Sequence, residues 1–139
     1  MSHSKKLQFI LNKLYELNPD KIELKLDRVL RLANDLGNPH KKLKNVITVT
    51  GTNGKGGTAF YLKEILQAHG YSVALFQSPF LYNFLTRFLI NGEPLDEEKF
   101  INYVIEVDKA NNNQDITFFE YITCIALKAF EEANCDFNI

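Results

Sequence analysis

The sequence predicts an α/β fold in which a parallel sheet is flanked by helices. Two short strand-like runs at 46–50 and 72–76 are separated by a glycine-rich stretch and a helical segment. Together they have the length of one strand–helix–strand unit. The first run is β-branched throughout, which is typical of a strand buried on both faces of a parallel sheet. The chain has 139 residues, which fits one domain or part of a larger one.

The N-terminal elements are predicted from helical spacing of apolar residues. Leucine and isoleucine residues predict a helix over 5–17, capped by Ser4 and ended by Asn18-Pro19-Asp20. A second helix is expected over about 25–36, with Gly37 in a left-handed conformation after its last turn. Two helices therefore precede the first predicted strand.

The remaining elements follow from turn and capping signals. Asn91-Gly92 is typical of a tight turn, and Thr117 with Glu120 forms a capping-box pattern at the start of a helix. In chain order we predict a helix from Thr58 to His69, a strand at 72–76, an extended segment at 87–90, a helix from Asp96 to Lys109, a helix over 118–133 and the opening of a strand at 135–139. These strands are too few for a closed α/β domain, so we expect the chain to be a piece of a longer protein.

Composition excludes several classes of protein. Apolar residues make up 45% of the chain, which is too many for a disordered one. Sixteen basic and 17 acidic residues give a net charge of −1, so we expect no nucleic-acid partner. No apolar run approaches the roughly 20 residues that span a bilayer, so we expect no membrane partner and a cytoplasmic location. The two cysteines predict reduced thiols and neither a zinc site nor a disulfide framework.

The most informative stretch is the glycine-rich one from Val49 to Thr58. Glycines between a strand and a helix let backbone N–H groups converge on one point. The helix N-terminus adds partial positive charge there, and Lys55 adds a full one. This combination predicts a cradle for the phosphates of a nucleotide. The general P-loop pattern is only partly met, because Val49 takes the first glycine position and Gly56 follows the lysine. A flexible turn with an incidental lysine is the plainer alternative.

The run Val-Thr-Gly-Thr-Asn-Gly-Lys-Gly at 49–56 resembles the nucleotide loop of the Mur ligase superfamily. It resembles folylpolyglutamate synthase/dihydrofolate synthase more closely. Further blocks lie in that family's order at 36–39, 41–43, 70–71, 77–79, 91–95 and 117–120. The resemblance implies a P-loop NTPase-like parallel sheet, with residues 1–139 as a truncated N-terminal part of the ATP-binding Mur ligase central domain. The rest of that domain and a C-terminal domain would be absent.

The resemblance also implies an activity. Such enzymes are ADP-forming acid–amino-acid ligases, which use ATP and Mg²⁺ to join L-glutamate to a carboxyl group of folate or dihydropteroate through an acyl phosphate. The phosphate contacts would be Gly51, Thr52, Asn53, Gly54, Lys55, Gly56, Gly57 and Thr58, with Lys55 as the catalytic residue that neutralises developing charge. Ser78 would hold Mg²⁺. The substrate contacts would be Arg87, Thr117, Phe118, Phe119 and Glu120.

These implied roles have plainer alternatives. Ser78 precedes a proline at the end of a strand and fits a simple turn. The 117–120 stretch fits a helix cap, which is compatible with a substrate contact. Phenylalanines at 80, 84 and 88 fit a core more readily than a ligand site.

Three positions depart from the family. Gly57 stands where Ser or Thr follows the Lys-Gly pair, Phe80 where His follows Ser-Pro, and Thr86 where a Glu precedes Arg87. Without a closing domain an acyl phosphate would meet water, so we expect the chain alone not to ligate. A non-catalytic nucleotide-binding remnant, another P-loop kinase and a Mur-type cell-wall ligase are the alternatives. The choice between dihydrofolate synthase and folylpolyglutamate synthase activity, and the oligomeric state, stay open.

Overall fold

The computed structural model describes residues 4–17, 25–80 and 82–139. In chain order these residues form α1 (Lys5–Tyr15), α2 (Asp27–Asp35), a 3₁₀ turn (Pro39–Lys41), α3 (Lys55–Ala68), β1 (Val73–Phe76), a second 3₁₀ turn (Phe84–Arg87), β2 (Phe88–Ile90), β3 (Glu93–Pro94), α4 (Glu97–Asn111), α5 (Phe118–Ala133) and β4 (Phe137–Asn138). The predicted break at Asn18-Pro19-Asp20 lies outside the described residues. None of the described helices is long and apolar enough to cross a membrane.

The four strands form a mixed sheet in the order β3-β2-β1-β4, so the prediction of a parallel sheet is wrong in part. β1 is parallel to β4, whereas β1 with β2 and β2 with β3 are antiparallel. The antiparallel pairs follow from their connections. The described residues between β1 and β2, 77–80 and 82–87, contain no α-helix to cross over the sheet. Asn91 and Gly92 have φ of 52° and 85°, which suits a tight hairpin turn.

The predicted buried strand at 46–50 is also wrong. Only Val46 forms a β-bridge, with Asn138 of β4, and the Ile47 N–H donates to the Asn138 carbonyl at 2.8 Å. Val46 is 59% exposed, because β4 pairs this segment on one side and no other described strand pairs it on the other. β4 therefore lies between the 46–50 segment and β1, and the two predicted strands of the strand–helix–strand unit are not neighbours.

The flanking helices bury both faces of the sheet, as predicted. Ala74 of β1 packs into a large core that α1, α2, α4 and α5 share. Leu75, its neighbour on the opposite face, packs with Ala59 of α3 and Leu89 of β2. Alternation along one strand thus supplies two cores, because successive side chains of a strand point to opposite faces. Phe84 and Phe88 are 2% and 0% exposed, which confirms their reading as core residues.

The predicted helix caps are confirmed. The side chain of Ser4 accepts a hydrogen bond from the Leu7 N–H at 3.1 Å, and that of Asp96 accepts one from the Lys99 N–H at 3.1 Å. Gly37 follows α2 with a φ of 82°, in the left-handed region that favours glycine. These caps fix where α1 and α4 begin and where α2 ends.

Candidate functional site

The glycine-rich stretch lies between the 46–50 segment and α3. Because that segment is not a strand, the structure has only the helix side of the predicted strand-to-helix junction. α3 begins at Lys55, three residues before the predicted start at Thr58. Gly54 explains the earlier start, because its φ of 78° makes the sharp turn into the helix. Gly56 and Gly57 therefore belong to the first helical turn.

Open space lies beside the glycines of this first turn. The first intrahelical hydrogen bond at this end runs from the Thr58 N–H to the Gly54 carbonyl at 2.9 Å. The preceding N–H groups have no carbonyl within the helix, as at any helix N-terminus. No described atom other than chain neighbours and the helix's own backbone lies within 4 Å of a Cβ placed on Gly54, Gly56 or Gly57. An anion could therefore approach these donors closely.

Lys55 is half-buried at the same point. Its ammonium group has no ion pair or hydrogen bond with any described residue. A salt bridge would have made the ammonium group unavailable to a phosphate. Because no described residue pairs with it, the ammonium group is available to an anion. The lysine and the helix N-terminus thus offer positive charge to one place.

A cavity of about 440 Å³ adjoins Lys55. The 46–49 segment forms one wall, α5 forms another, and the carboxyl end of β1 lies at its base. The side chains and backbone that line it come from Leu43, Val46, Ile47, Thr48, Val49, Lys55, Gly56, Ala59, Phe76, Gln77, Ser78, Phe119, Thr123, Ala126, Leu127, Phe130, Asn138 and Ile139. It is mostly apolar, and Lys55 has the one charged side chain among the described residues that line it. This composition suits an aromatic or aliphatic ligand body next to an anion.

Ser78 lines the same cavity and is exposed. Among the described residues no three His, Cys, Asp or Glu side chains are grouped as metal ligands. Magnesium usually takes six oxygen ligands, many of them from water and substrate phosphates. A single Ser78 hydroxyl therefore fits Mg²⁺ only as an ion held mainly by nucleotide phosphates and water.

The start of α5 carries the predicted substrate segment, and its capping box is confirmed. The Glu120 N–H donates to Thr117 Oγ1 at 3.3 Å. In return, Glu120 Oε2 accepts from the Thr117 N–H and from the Thr117 hydroxyl, both at 2.9 Å. The Thr117 hydroxyl has then given its one proton to Glu120. It is left able to accept a further hydrogen bond but not to donate one.

The four residues of this segment face different surroundings. Phe119 is 52% exposed, lines the cavity and stacks on Phe76 with the ring centres 5.9 Å apart. Phe118 stacks instead on Tyr15 of α1, at 4.9 Å. Thr117 and Glu120 do not line the cavity. The structure therefore brings Phe119 together with Lys55 and Ser78, and places Phe118 in an aromatic cluster beside them.

Arg87 belongs to that aromatic cluster and does not line the cavity. Its guanidinium carbon lies 4.9 Å from the centre of the Phe80 ring, 5.6 Å from Phe84 and 6.0 Å from Phe118. The side chain is 8% exposed, and its Nε and Nη1 atoms have no hydrogen-bond partner. Burial lowers the pKa of Arg87. Phe80, a departure from the family pattern, thus presents a ring face to the arginine, and Phe84 and Phe118 present two more.

Arg28 of α2 was missed by the sequence analysis. Its Nε donates to Glu120 Oε2 at 3.0 Å and to Oε1 at 3.3 Å. Burial alone would raise the pKa of Glu120, but the hydrogen bonds from Arg28 and Thr117 outweigh it and hold the pKa below its usual range. The sequence carried no signal for this pair, because Arg28 and Glu120 are separated by 92 positions.

These features define a mixed α/β protein with a candidate phosphate loop at a helix N-terminus and an adjoining apolar cavity. No protein-family model matches the chain. The chain is nevertheless homologous to dihydrofolate synthase/folylpolyglutamate synthase, and belongs to that family over about a third of the length of its relatives.

Curated relatives support this relationship. The Escherichia coli dihydrofolate synthase/folylpolyglutamate synthase is 38% identical over 126 residues, which are 91% of this chain and 30% of the relative. The dihydrofolate synthetase of Saccharomyces cerevisiae is 35% identical over 120 residues, which are 85% of this chain and 28% of the relative.

Solved structures agree with the sequences. E. coli FolC in complex with DHPP and ADP superimposes with a TM-score of 0.89 at 38% identity, over 96% of this chain and 32% of that one. The Yersinia pestis enzyme complexed with AMPPNP and Mn ion gives 0.88 at 34% identity, with the same shares of the two chains. Nucleotides and a metal ion are thus bound by these relatives.

Proposed function

We propose that this chain is the nucleotide-phosphate-binding part of an ATP-dependent ligase that adds L-glutamate to a folate or dihydropteroate carboxyl group. One observation carries the proposal. Lys55, with no ion pair to a described residue, and the open N-terminal amides of α3 lie at one end of a cavity that Phe119 and Ser78 also line. Positive charge and an aromatic surface thus meet at one place, as a nucleotide and a carboxylate substrate with an aromatic body would require.

In the proposed reaction, the substrate carboxylate attacks the γ-phosphorus of ATP and the bond to ADP breaks. The amine of glutamate then attacks the acyl carbon, phosphate leaves, and the amine loses a proton. Residues 51–58 would hold the phosphates through backbone N–H groups. Lys55 would offset the charge that develops on the transferred phosphoryl group.

The remaining residues would hold the metal and the substrate. Mg²⁺ would supply charge neutralisation between the phosphates, and Ser78 would contribute one ligand to it. Phe119 would pack against the aromatic body of the substrate within the cavity. The roles of the other predicted substrate contacts stay predictions, since none of them lines the cavity: Arg87, Thr117, Phe118 and Glu120.

A second candidate function is nucleotide binding without ligation. Gly57 leaves the first turn of α3 without the hydroxyl expected beside Lys55-Gly56, and the described residues offer no acidic cluster for a metal. Phosphate binding needs only the local loop, whereas ligation also needs a closed site that excludes water. Because the chain spans about a third of its relatives, we expect binding of MgATP without turnover.

Calorimetric titration with MgATP tests the phosphate site. We expect binding by the wild-type chain and at least a tenfold loss, about 1.4 kcal/mol, in Lys55→Ala. Lys99→Ala is the matched control, because Lys99 is exposed on α4 and does not line the cavity. Absence of MgATP binding, or equal affinities for the wild type and Lys55→Ala, would contradict the proposal.

Ligation itself is tested by coupled ADP release with dihydropteroate and glutamate. We expect no substrate-dependent ADP release from the 139-residue chain. Clear turnover would show that the residues in this sequence suffice for catalysis.

A further inference from the structure

We propose that Arg28 is a positioning residue for the ligand-facing start of α5. This inference deepens the proposed function and rests on it, because the positioned segment is the one proposed to contact the substrate. Arg28 itself lies on α2 and does not line the cavity.

The geometry links Arg28 to the segment through one carboxylate. Both Glu120 oxygens lie within 3.3 Å of Arg28 Nε, and the two side chains are 17% and 14% exposed. A hydrogen bond that is shared by two ions and largely shielded from water is stronger than one at the surface. The pair therefore fixes where the Glu120 carboxylate can lie.

The carboxylate in turn fixes Thr117. Glu120 Oε2 accepts from the Thr117 backbone and from its hydroxyl as well as from Arg28. If Glu120 lost Arg28, its carboxylate would be nearly buried with only neutral donors, and rotation toward water would become favourable. That rotation would free the Thr117 hydroxyl and loosen the first turn of α5.

This change would alter the cavity wall through Phe119. Phe119 lies between Thr117 and Glu120, in the turn that the capping box holds. Its ring packs on Phe76 at the cavity wall, while its carbonyl accepts from the Thr123 hydroxyl at 2.7 Å. Arg28 thus acts on the cavity wall from a distance, through Glu120 and the first turn of α5.

The test compares Arg28→Met and Arg28→Lys with Arg31→Met. Arg31 lies one turn further along α2 and bonds to Asn111 of α4, so its loss removes the same charge from the same helix and leaves the Arg28–Glu120 hydrogen bonds in place. Two quantities are measured for each variant: the affinity for dihydropteroate by fluorescence titration, and the hydrogen exchange of the Thr117 and Glu120 amides by NMR.

We expect Arg28→Met to weaken dihydropteroate binding by about tenfold and to leave MgATP binding unchanged. Arg28→Lys should recover part of the affinity, because an ammonium can still pair with Glu120. Arg31→Met should lower thermal stability while leaving dihydropteroate affinity unchanged. Equal losses of affinity in Arg28→Met and Arg31→Met would overturn the proposal, since they would indicate a merely structural role.

The exchange measurement separates this inference from the proposed function. If the wild-type chain does not bind dihydropteroate, the substrate part of the proposed function fails. Arg28 is then judged by exchange alone: faster exchange confined to Thr117 and Glu120 in Arg28→Met supports positioning of this turn. Unchanged exchange at these two amides overturns it.

Discussion

Replacement of Phe80 tests how the buried charge of Arg87 is stabilised. The guanidinium lies 4.9 Å from the Phe80 ring centre, and two of its nitrogens have no hydrogen-bond partner. No described carboxylate pairs with it. The ring faces are then its main electrostatic compensation. A contact of this kind contributes about 0.5–1 kcal/mol when exposed and about 2 kcal/mol when desolvated. Since Arg87 is buried and Phe80 is half-buried, we expect about 1 kcal/mol.

Urea unfolding of four proteins measures this contribution. They are the wild type, Phe80→Leu, Arg87→Met and the double variant, because leucine keeps apolar volume at position 80 but has no ring face. We expect a coupling free energy of about 1 kcal/mol between the two positions. We also expect Arg87→Met to cost little in the Phe80→Leu background, since a buried ion that keeps only the more distant Phe84 and Phe118 rings is replaced by an apolar side chain.

The refuting result is a coupling below about 0.3 kcal/mol, which is the level found for independent sites. A matched cycle of Phe80→Leu with Arg31→Met sets this baseline, because Arg31 pairs with Asp35 and Asn111 away from the ring cluster. If the baseline cycle gave the same coupling as the Arg87 cycle, the ring contact would not be its source.

Three further predictions follow from the site. Gly57→Ser should fold normally, because no described atom beyond the local backbone lies within 4 Å of the added Cβ and serine costs less than glycine in a helix. It should raise MgATP affinity severalfold by calorimetry, because it places a hydroxyl beside Lys55-Gly56; weaker binding would contradict the proposed role of this turn. Burial raises the pKa of Glu120, but its hydrogen bonds lower the pKa by more, so the pKa lies below its usual range. Its contribution to stability is therefore present above the ordinary carboxyl range and lost as pH falls through the lowered value. Glu120→Gln should flatten the acid side of the stability–pH curve, and an unchanged curve would refute this. Burial raises the pKa of the Cys124 thiol to about 12, so native Cys124 should resist iodoacetamide at pH 8 by mass spectrometry, and rapid labelling would show that the thiol is accessible.

Local signals allowed the sequence to predict the helices well. Ser4, Asp96 and Thr117 each cap a helix through a backbone N–H three residues away. A bond that closes within one turn depends on neighbouring residues alone, so the sequence carries all of its information. The start of α3 was placed too late because glycines were read as loop, whereas Gly56 and Gly57 are held in the helix by the turn at Gly54.

Pairing between distant segments was not predictable in the same way. The 46–50 run has the composition of a buried strand, but the strand it pairs with in the structure, β4, lies at the far end of the chain. The antiparallel direction of β2 depends on a connection whose path the sequence does not specify. The Arg28–Glu120 pair joins α2 to α5. From the sequence alone, an arginine on α2 fits a solvent-exposed helix face equally well, so the pair could not be predicted. Of the candidate site, the position of the glycine-rich stretch before α3 could be predicted. The separation of Phe118 and Arg87 from the cavity could not, and the ligand contacts of the stretch and of Phe119 stay predictions.

The proposed binding and the proposed catalysis depend on different parts of this site. The proposed phosphate donors come from one continuous stretch, residues 51–58, and their geometry is set by Gly54 and the first turn of α3. Such a phosphate site needs no residues from other parts of the chain. The cavity beside it is bounded by the exposed 46–49 segment and by one face of α5, so ligands there stay in contact with water. A mixed anhydride of a carboxylate and phosphate survives only where water is excluded. Phosphate binding should therefore persist in this chain, whereas amide formation should require further protein surface over the cavity. We expect MgATP binding to be measurable where ligation is not.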